Sequence, residues 1–191
     1  MTNVTIFGTG NMGGAIAGVL ASGGASVDHI SDKSTVGVIT GDIVVLAVPY
    51  PAIAQIVSAY ADQLAGKIVV DITNPLNFET FDSLTVAAGS SAAAELAEAL
   101  PQSHVLKAFN TTFAATLASK TVGGLTTTVL IAGDDAASKE TLAAAITAGG
   151  VEAIDAGALS RAHELEAIGF LQLTLAVGEK INWTGGFAIA R

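Results

Sequence analysis

The chain of 191 residues is 51% hydrophobic and 13% charged, a composition typical of a well-buried globular protein rather than a disordered one. Its formal net charge of −9 argues against a nucleic-acid partner, because phosphate binding requires clustered Lys and Arg side chains. The absence of cysteine excludes disulfides, a thiolate nucleophile and a cysteine-based metal site. The length predicts one domain over residues 1–191, with a soft sub-boundary near residue 124.

The first predicted strand, residues 4–7, runs directly into a turn that reads Gly8-Thr9-Gly10-Asn11-Met12-Gly13. In this G-x-G-x-x-G pattern the first glycine permits the tight turn, and the second leaves room for a pyrophosphate. The third lets the following helix pack closely on the sheet, while N–H groups at the start of that helix attract phosphate charge. Because the motif stands between a strand and a helix, it predicts that these six residues bind a dinucleotide.

Strand-like and helix-like segments alternate along the rest of the chain, the pattern of a parallel sheet with crossover helices. The predicted strands are residues 4–7, 26–30, 43–48, 68–72, 104–108, 127–132 and 151–154. The predicted helices are residues 12–22, 52–61, 91–100, 135–148 and 160–181. We therefore predict an α/β fold with a Rossmann-type, doubly wound and mostly parallel sheet, a C-terminal strand extension and a closing helix.

The sequence contains no predicted membrane-spanning helix. The longest apolar helical stretch, residues 167–178, is shorter than the about 20 residues that a membrane-spanning helix needs. No targeting segment is visible, so we expect no membrane partner and a cytoplasmic location.

The interval between the second and third strands, residues 31–42, barely reaches the length of a crossover, so its helix should be short or absent.

Five stretches carry a family resemblance, namely residues 8–13, 42–50, 70–76, 107–111 and 155–160. With these motifs in this order, the chain resembles the NADP oxidoreductases that reduce a deazaflavin coenzyme (coenzyme F420). That family is a branch of the 6-phosphogluconate-dehydrogenase-like Rossmann proteins. A similar domain forms the cytosolic part of some membrane metalloreductases, where it passes hydride to a flavin. The resemblance implies an NAD(P)-dependent oxidoreductase.

The residues after the second predicted strand bear on the choice between NAD and NADP. Asp32 lies about 20 residues beyond the glycine turn, where an acidic group favours the ribose hydroxyls of NAD. Ser31, Lys33 and Ser34 instead supply one cation and two hydroxyl groups that suit a 2′-phosphate. The resemblance places Ser31 at a phosphate-contacting position, with Lys33 in place of an arginine common in the family. We expect NADP as cofactor, bound in part by Ser31, Lys33 and Ser34, and leave NAD open.

Two further turns follow predicted strands at the edge where open α/β sheets bind their ligands. In the first, Ala47-Val48-Pro49-Tyr50, Pro49 shapes a loop whose backbone can approach the ribose and nicotinamide. The second contains Thr73 and Asn74, whose amide suits either the nicotinamide carboxamide or a stabilised turn. We predict that the residues of both turns bind the cofactor.

Other candidate residues lie at the end of the fifth predicted strand, in the loop at 78–82 and at the three histidines. Lys107, Phe109, Asn110 and Thr111 stand at the end of the fifth predicted strand and are candidates for lining a pocket, although Phe109 equally suits the core. Residues 78–82 form either an acceptor lid or a packed loop. The three histidines form no cluster and suit surface or capping positions away from the chemistry. We therefore predict no metal site, see no acid–base pair and name no catalytic residue.

The leading functional hypothesis is hydride transfer between NADPH and a flat two-electron carrier, a flavin or deazaflavin. Such a reaction needs no acid–base pair, since the two cofactors carry the chemistry. One alternative is an NADPH-binding redox sensor without turnover. Another is an enzyme similar to pyrroline-carboxylate reductases, whose opening turn is alike but whose large helical domain exceeds residues 160–191. Apolar residues of the last predicted helix and of the tail at 187–189 also permit a homodimer.

Overall fold

The computed structural model describes residues 2–31 and 37–190. The strands are β1 (Asn3–Phe7), β2 (Ser26–Ile30), β3 (Ile43–Leu46), β4 (Ile68–Asp71), β5 (His104–Lys107), β6 (Thr121–Val122), β7 (Leu125–Thr126), β8 (Thr128–Gly133) and β9 (Glu152–Gly157). The helices are α1 (Asn11–Ser22), α2 (Ile53–Leu64), α3 (Ala92–Ala99), α4 (Ala114–Ser119), α5 (Ala136–Ala148) and α6 (Ala162–Val177). Single 3₁₀ turns, Tyr50–Ala52 and Leu159–Arg161, lead into α2 and α6.

Seven strands form one sheet in the order β2-β1-β3-β4-β5-β8-β9. The strands from β2 to β5 run parallel to one another, and β9 runs parallel to β8. Strand β8 pairs antiparallel with β5, so the sheet reverses direction where the C-terminal extension begins. The sheet is mostly parallel, as predicted. Strands β6 and β7 form a separate hairpin, and its turn lies at the predicted sub-boundary near residue 124.

Apolar clusters cover both faces of the sheet. Helices α1 and α5 pack on one face, where Ile16 and Ile146 lie in the same core as Val45 of β3. Helices α2 and α3 pack on the other face, where Leu64 and Leu96 are clustered with other buried residues. Because successive side chains of a strand point to opposite faces, the fully buried β3 needs helices on both sides. The sheet is therefore doubly wound. The chain adds β2 on one side of β1 and then β3 on the other, so the strand order switches between β1 and β3.

Several element boundaries differ from those predicted. The last helix ends at Val177 and not at residue 181, because Gly178 follows as its C-cap. Ser91 and Asp135 stand outside α3 and α5 as N-caps, where their side chains accept bonds from the N–H groups of Ala94 and Ser138. Helix α4 and the β6–β7 hairpin were not predicted, because such short elements carry little periodic signal.

The connection between β2 and β3 is short, as expected. Residues 37–42 contain no helix or strand, while Asp32, Lys33 and Ser34 lie outside the described residues. In the part of the chain that the structure describes, no helix is both long and apolar enough to cross a membrane.

Candidate functional site

The three glycines of the first turn serve different purposes. Gly8 has a φ of 106°, and a Cβ added there would overlap the carbonyl oxygen of Ala47. A Cβ at Gly13 would lie 2.5 Å from the carbonyl oxygen of Gly8. These two glycines are therefore required by the packing of the protein itself. A Cβ at Gly10 would meet nothing within 4 Å, so this position is open to a ligand.

Gly10 is also the N-cap of α1, and as a glycine it offers no capping side chain. The N–H groups of the first helical turn are hence available to an anion, and the helix dipole adds partial positive charge there. The geometry at the start of α1 therefore leaves room for the predicted anion, and the anion site stays a prediction.

His29 of β2 is exposed and contacts this turn. Its Nδ1 lies 2.9 Å from the carbonyl oxygen of Gly8. Because a carbonyl can only accept, Nδ1 carries the proton and donates the bond. His29 therefore holds the backbone of the first glycine. Ser31 follows β2 directly and is exposed.

A cavity of about 450 Å³ opens between the glycine turn and the carboxyl ends of β3, β4 and β5. The predicted cofactor-binding residues that line it are Gly10, Asn11, Met12, Ala47, Val48, Pro49, Tyr50, Thr73 and Asn74. Of the other members of that set in the described ranges, Gly8, Thr9, Gly13 and Ser31 do not line it. The three turns that the sequence singled out hence converge on one cavity.

Four apolar side chains that were not among the predicted cofactor-binding residues also line the cavity, namely Phe78, Phe113, Leu173 and Trp183. Trp183, in the segment after α6, lies with its ring centroid 4.9 Å from that of Phe113. Leu173 belongs to α6, and the half-exposed Phe78 belongs to the loop 78–82 that the sequence had marked as a lid or a packed loop. Phe109 and Asn110 also line the cavity, as proposed for them, whereas Lys107 and Thr111 do not.

Lys107 lies fully buried among acidic groups, so the expectation that it lines a pocket was wrong. Its Nζ donates to Asp71 Oδ2 at 2.8 Å, to Glu166 Oε1 at 2.7 Å and to the carbonyl oxygen of Thr73 at 2.5 Å. The ammonium group has three N–H donors, and each has an acceptor. A buried charge requires such pairing, since desolvation would otherwise penalise the charged form. We call Asp71, Lys107 and Glu166 the buried ion cluster.

Glu166 links the buried ion cluster to α3. Its two carboxylate oxygens accept bonds from the N–H groups of Ala92 at 3.0 Å and Ala93 at 3.4 Å, in the first turn of that helix. Burial raises the pKa of Glu166 above its ordinary value, although Lys107 and the α3 N–H group act in the opposite direction. Strands β4 and β5 and helices α3 and α6 are thus joined beneath the cavity.

Tyr50 is the one phenol in the cavity lining. Its hydroxyl donates a short hydrogen bond to a carboxylate oxygen of Glu95. Burial, and then the bond to Glu95, raise the pKa of Tyr50 from 10.0 to about 12. The side chain is hence a neutral phenol near neutral pH, where it can fix the loop but cannot serve as an ionised base.

Asn74 and Asn110 form a pair at the back of the cavity. Asn74 Nδ2 donates to the Asn110 carbonyl oxygen at 2.8 Å, and Asn110 Nδ2 donates to Asn74 Oδ1 at 2.9 Å and to the Leu165 carbonyl oxygen at 2.8 Å. Both amides are hence oriented by backbone carbonyls, which can only accept. Gly169 of α6 packs against this pair, because a Cβ there would overlap Asn74 Oδ1.

The other candidates stay outside the centre of the site. In the loop after β4, Asn77 Oδ1 accepts bonds from the N–H groups of Glu79 and Thr80, and Phe78 packs edge-on to Phe81. Only Phe78 of residues 78–82 lines the cavity. His163 Nδ1 lies 3.0 Å from the Ser90 carbonyl oxygen. Among residues 2–31 and 37–190, no group of three or more His, Asp or Glu side chains is placed to hold a metal ion.

Comparison with known proteins identifies similar chains. The family model for NADP oxidoreductases dependent on coenzyme F420 matches residues 28–75. The F420-dependent NADP reductase of Methanocaldococcus jannaschii is 30% identical over 171 residues, 87% of this chain and 76% of that protein. The rat metalloreductase STEAP3 is 40% identical over 108 residues, and the chain spans about a fifth (21%) of its length. A solved structure from Arthrobacter sp. FB24, provisionally assigned as an F420-dependent NADP-reductase, has a TM-score of 0.87 and 25% identity, with full coverage of both chains.

The fold and these relatives define an NAD(P)-dependent oxidoreductase of the Rossmann class. More narrowly, the chain belongs to the family of F420-dependent NADP oxidoreductases, because it matches a reductase of that family over most of both lengths. The predictions of the fold, of an oxidoreductase and of NADP as cofactor are confirmed.

Proposed function

We propose that this chain transfers hydride between NADPH and a flavin or deazaflavin carrier in the cavity at the carboxyl ends of β3, β4 and β5. The observation that carries the proposal is the composition of that cavity. The cavity is lined by the turns predicted to bind a dinucleotide and also by the apolar side chains of Phe78, Phe113, Leu173 and Trp183. A volume of about 450 Å³ lies within the range typical of small-molecule and cofactor sites.

The residues present fit a dinucleotide. The open space at Gly10 and the first turn of α1 suit the pyrophosphate, because nothing in the described chain fills the position of a Cβ there. Ala47–Tyr50 and Thr73–Asn74 would border the ribose and nicotinamide, and Ser31, Lys33 and Ser34 would bind the 2′-phosphate. When bound, the nicotinamide supplies the hydride.

The protein's own part in this reaction is to orient the two partners and to exclude water. Hydride transfer requires near-contact of two carbon atoms, about 3–3.5 Å apart, so the carrier must stack directly on the nicotinamide. The flat side chains of Trp183 and Phe113 suit a planar ring. Tyr50 and the Asn74–Asn110 pair hold the facing loops by hydrogen bonds.

The experiment is stopped-flow oxidation of protein-bound NADPH by a panel of flavins and a deazaflavin. We expect rapid oxidation by at least one carrier, and a much slower reaction without protein. Binding of NADPH without turnover on any carrier would instead support the redox-sensor alternative. From the formal net charge of −9 we also propose that the protein has no nucleic-acid partner, and the cytoplasmic location stays a proposal.

A further inference from the structure

Thr73, which follows β4, has two of its three polar groups fixed by the buried ion cluster. Its N–H donates to Asp71 Oδ1 at 2.8 Å, and its carbonyl oxygen accepts from Lys107 Nζ at 2.5 Å. The third polar group, the hydroxyl Oγ1, is buried and has no hydrogen-bond partner within the described residues. A buried hydroxyl without a partner destabilises a protein unless something else satisfies it. Thr73 is 5% exposed and lines the cavity.

The same ion pair makes both backbone contacts to Thr73. Asp71 uses one carboxylate oxygen for the Thr73 N–H and the other for Lys107, whose Nζ then reaches the Thr73 carbonyl. Glu166 holds the ammonium from the side of α6. A buried ion pair is weak evidence for stability, since apolar side chains of similar volume often stabilise a core as well or better. We therefore expect the ion pair to serve mainly to position the backbone of Thr73.

The position of Thr73 in the sheet indicates which half of a dinucleotide it would meet. The residues proposed for the 2′-phosphate follow β2, and the glycine turn follows β1. In the order β2-β1-β3-β4, strand β4 lies three strands from β2, roughly 14 Å at a spacing of about 4.8 Å. Thr73 thus lies beyond the pyrophosphate site as seen from the adenine end.

We propose that Thr73 Oγ1 is a hydrogen-bonding contact to the nicotinamide half of the cofactor, and that Lys107 and Asp71 are positioning residues that present it. The inference rests on the proposed function only in placing the nicotinamide in this cavity. Glu166 supports the arrangement by anchoring Lys107 to α6 and, through its bonds to Ala92 and Ala93, to α3.

The direct test is Thr73→Val, which removes the hydroxyl and preserves the shape of the side chain. The variant should fold, because it removes a buried polar atom that has no partner in the described protein. Calorimetric titration would compare NADPH with 2′-phospho-ADP-ribose, which lacks the nicotinamide. We expect about ten-fold weaker binding of NADPH, the size of one hydrogen bond, and unchanged binding of the fragment.

Lys107→Met tests the positioning role, with Lys139→Met as its matched control. Lys139 Nζ also donates to a carboxylate, Asp155 at 2.8 Å, and to a backbone carbonyl, Gly157 at 3.2 Å, but it lies at the β9 edge and does not line the cavity. We expect Lys107→Met to weaken NADPH about as much as Thr73→Val, and Lys139→Met to leave it unchanged. If Lys107 acts through Thr73, the double variant Thr73→Val/Lys107→Met should bind NADPH no more weakly than either single variant.

Lys107→Met leaves two carboxylates without their counter-ion. If it does not fold, Lys107→Met/Glu166→Gln keeps the net charge of the buried ion cluster and serves in its place. Unchanged NADPH binding by Thr73→Val, or an equal loss for the fragment, would overturn the contact. Additive losses of NADPH affinity in Thr73→Val/Lys107→Met would overturn the positioning role of Lys107. These are binding measurements and do not depend on turnover. If the variants show the expected changes in NADPH binding but the wild-type protein reduces no carrier, only the proposed function is overturned.

Discussion

At the scale of single residues, Gly10 differs from Gly8 and Gly13, because the packing of the protein itself does not require a glycine at position 10. A Cβ at Gly8 or Gly13 would collide with the protein's own backbone, whereas a Cβ at Gly10 would point into open space. Substitution at Gly10 therefore tests the dinucleotide site without the collision that complicates the other two positions. The same reasoning identifies Gly124 as a control, because its Cβ also meets nothing within 4 Å and it lies in the β6–β7 turn.

Gly10→Val is expected to abolish measurable NADPH binding, because a branched side chain would occupy the space proposed for the pyrophosphate. The free energy of unfolding should fall by no more than about 1 kcal/mol, the cost of a poor N-cap residue. Gly124→Val should bind NADPH like the wild type. Fluorescence titration with NADPH, alongside urea unfolding of each variant, checks both statements. Wild-type affinity in folded Gly10→Val would rule out the pyrophosphate assignment.

Tyr50 gives a prediction about pH. Burial and the bond to Glu95 raise its pKa from 10.0 to about 12. A raised pKa means that the folded state favours the protonated phenol, so this stabilisation is complete below pH 10 and is lost as pH rises through about 12. In a Tyr60→Phe background, absorbance at the tyrosinate band should show almost no ionisation of Tyr50 at about pH 10.5, where an ordinary tyrosine is mostly ionised. Glu95→Gln should shift the titration to lower pH, and an unchanged curve would contradict the assigned bond.

At the scale of secondary-structure elements, α6 borders the cavity and packs closely against the turns that follow β4 and β5. Gly169 is buried, and a Cβ there would overlap Asn74 Oδ1 and lie 2.9 Å from the Asn110 carbonyl oxygen. The helix therefore approaches the asparagine pair more closely than any larger residue would allow. Both asparagines line the cavity, so the position of this helix and the shape of the cavity are coupled.

Gly169→Ala should lower the free energy of unfolding by about 1–3 kcal/mol, the usual effect of overpacking. The sign is informative, because alanine is otherwise about 1 kcal/mol better than glycine in a helix. Gly18→Ala in α1 is the control, since its Cβ meets nothing within 4 Å and should stabilise by about 0.5–1 kcal/mol. Chemical denaturation measures both. A stabilised Gly169→Ala would show that α6 is not held against Asn74.

The sequence predicts elements and strand ends better than it predicts contacts between distant residues. Buried runs such as Ile43–Leu46 reveal the parallel strands, and the turns that follow them lie at the same edge of the sheet. The buried ion cluster escaped notice because Lys107 is separated from Asp71 by 36 residues and from Glu166 by 59. No local spacing relates these residues, and only the strand order and the packing of α6 bring them together. Trp183 lies in a segment with no helical or strand period, so its place in the cavity wall had no signal either.

At the scale of the whole molecule, the last helix and the tail leave apolar side chains exposed. Leu171, Val177, Phe187 and Ile189 are each more than a third exposed, whereas Leu165 of the same helix is buried and cannot contribute to such a surface. The homodimer stays a prediction that rests on this surface. Sedimentation equilibrium should give twice the mass of 19.0 kDa, and Leu171→Glu should reduce it to one chain. A wild-type monomer at micromolar concentrations would contradict the prediction.

We expect the cavity to bring a nicotinamide and a planar carrier into direct contact. The test uses two samples of NADPH, each with deuterium on one face of the reactive nicotinamide carbon. A deazaflavin accepts hydride at a carbon atom and retains it, so deuterium in the reduced carrier indicates direct transfer and its absence indicates exchange with water. A fixed orientation in one cavity exposes one face of the ring to the carrier. We predict that mass spectrometry of the reduced deazaflavin will show deuterium from one of the two labelled cofactors only. Reduced carrier that contains solvent hydrogen alone, or label from both faces equally, would contradict the account.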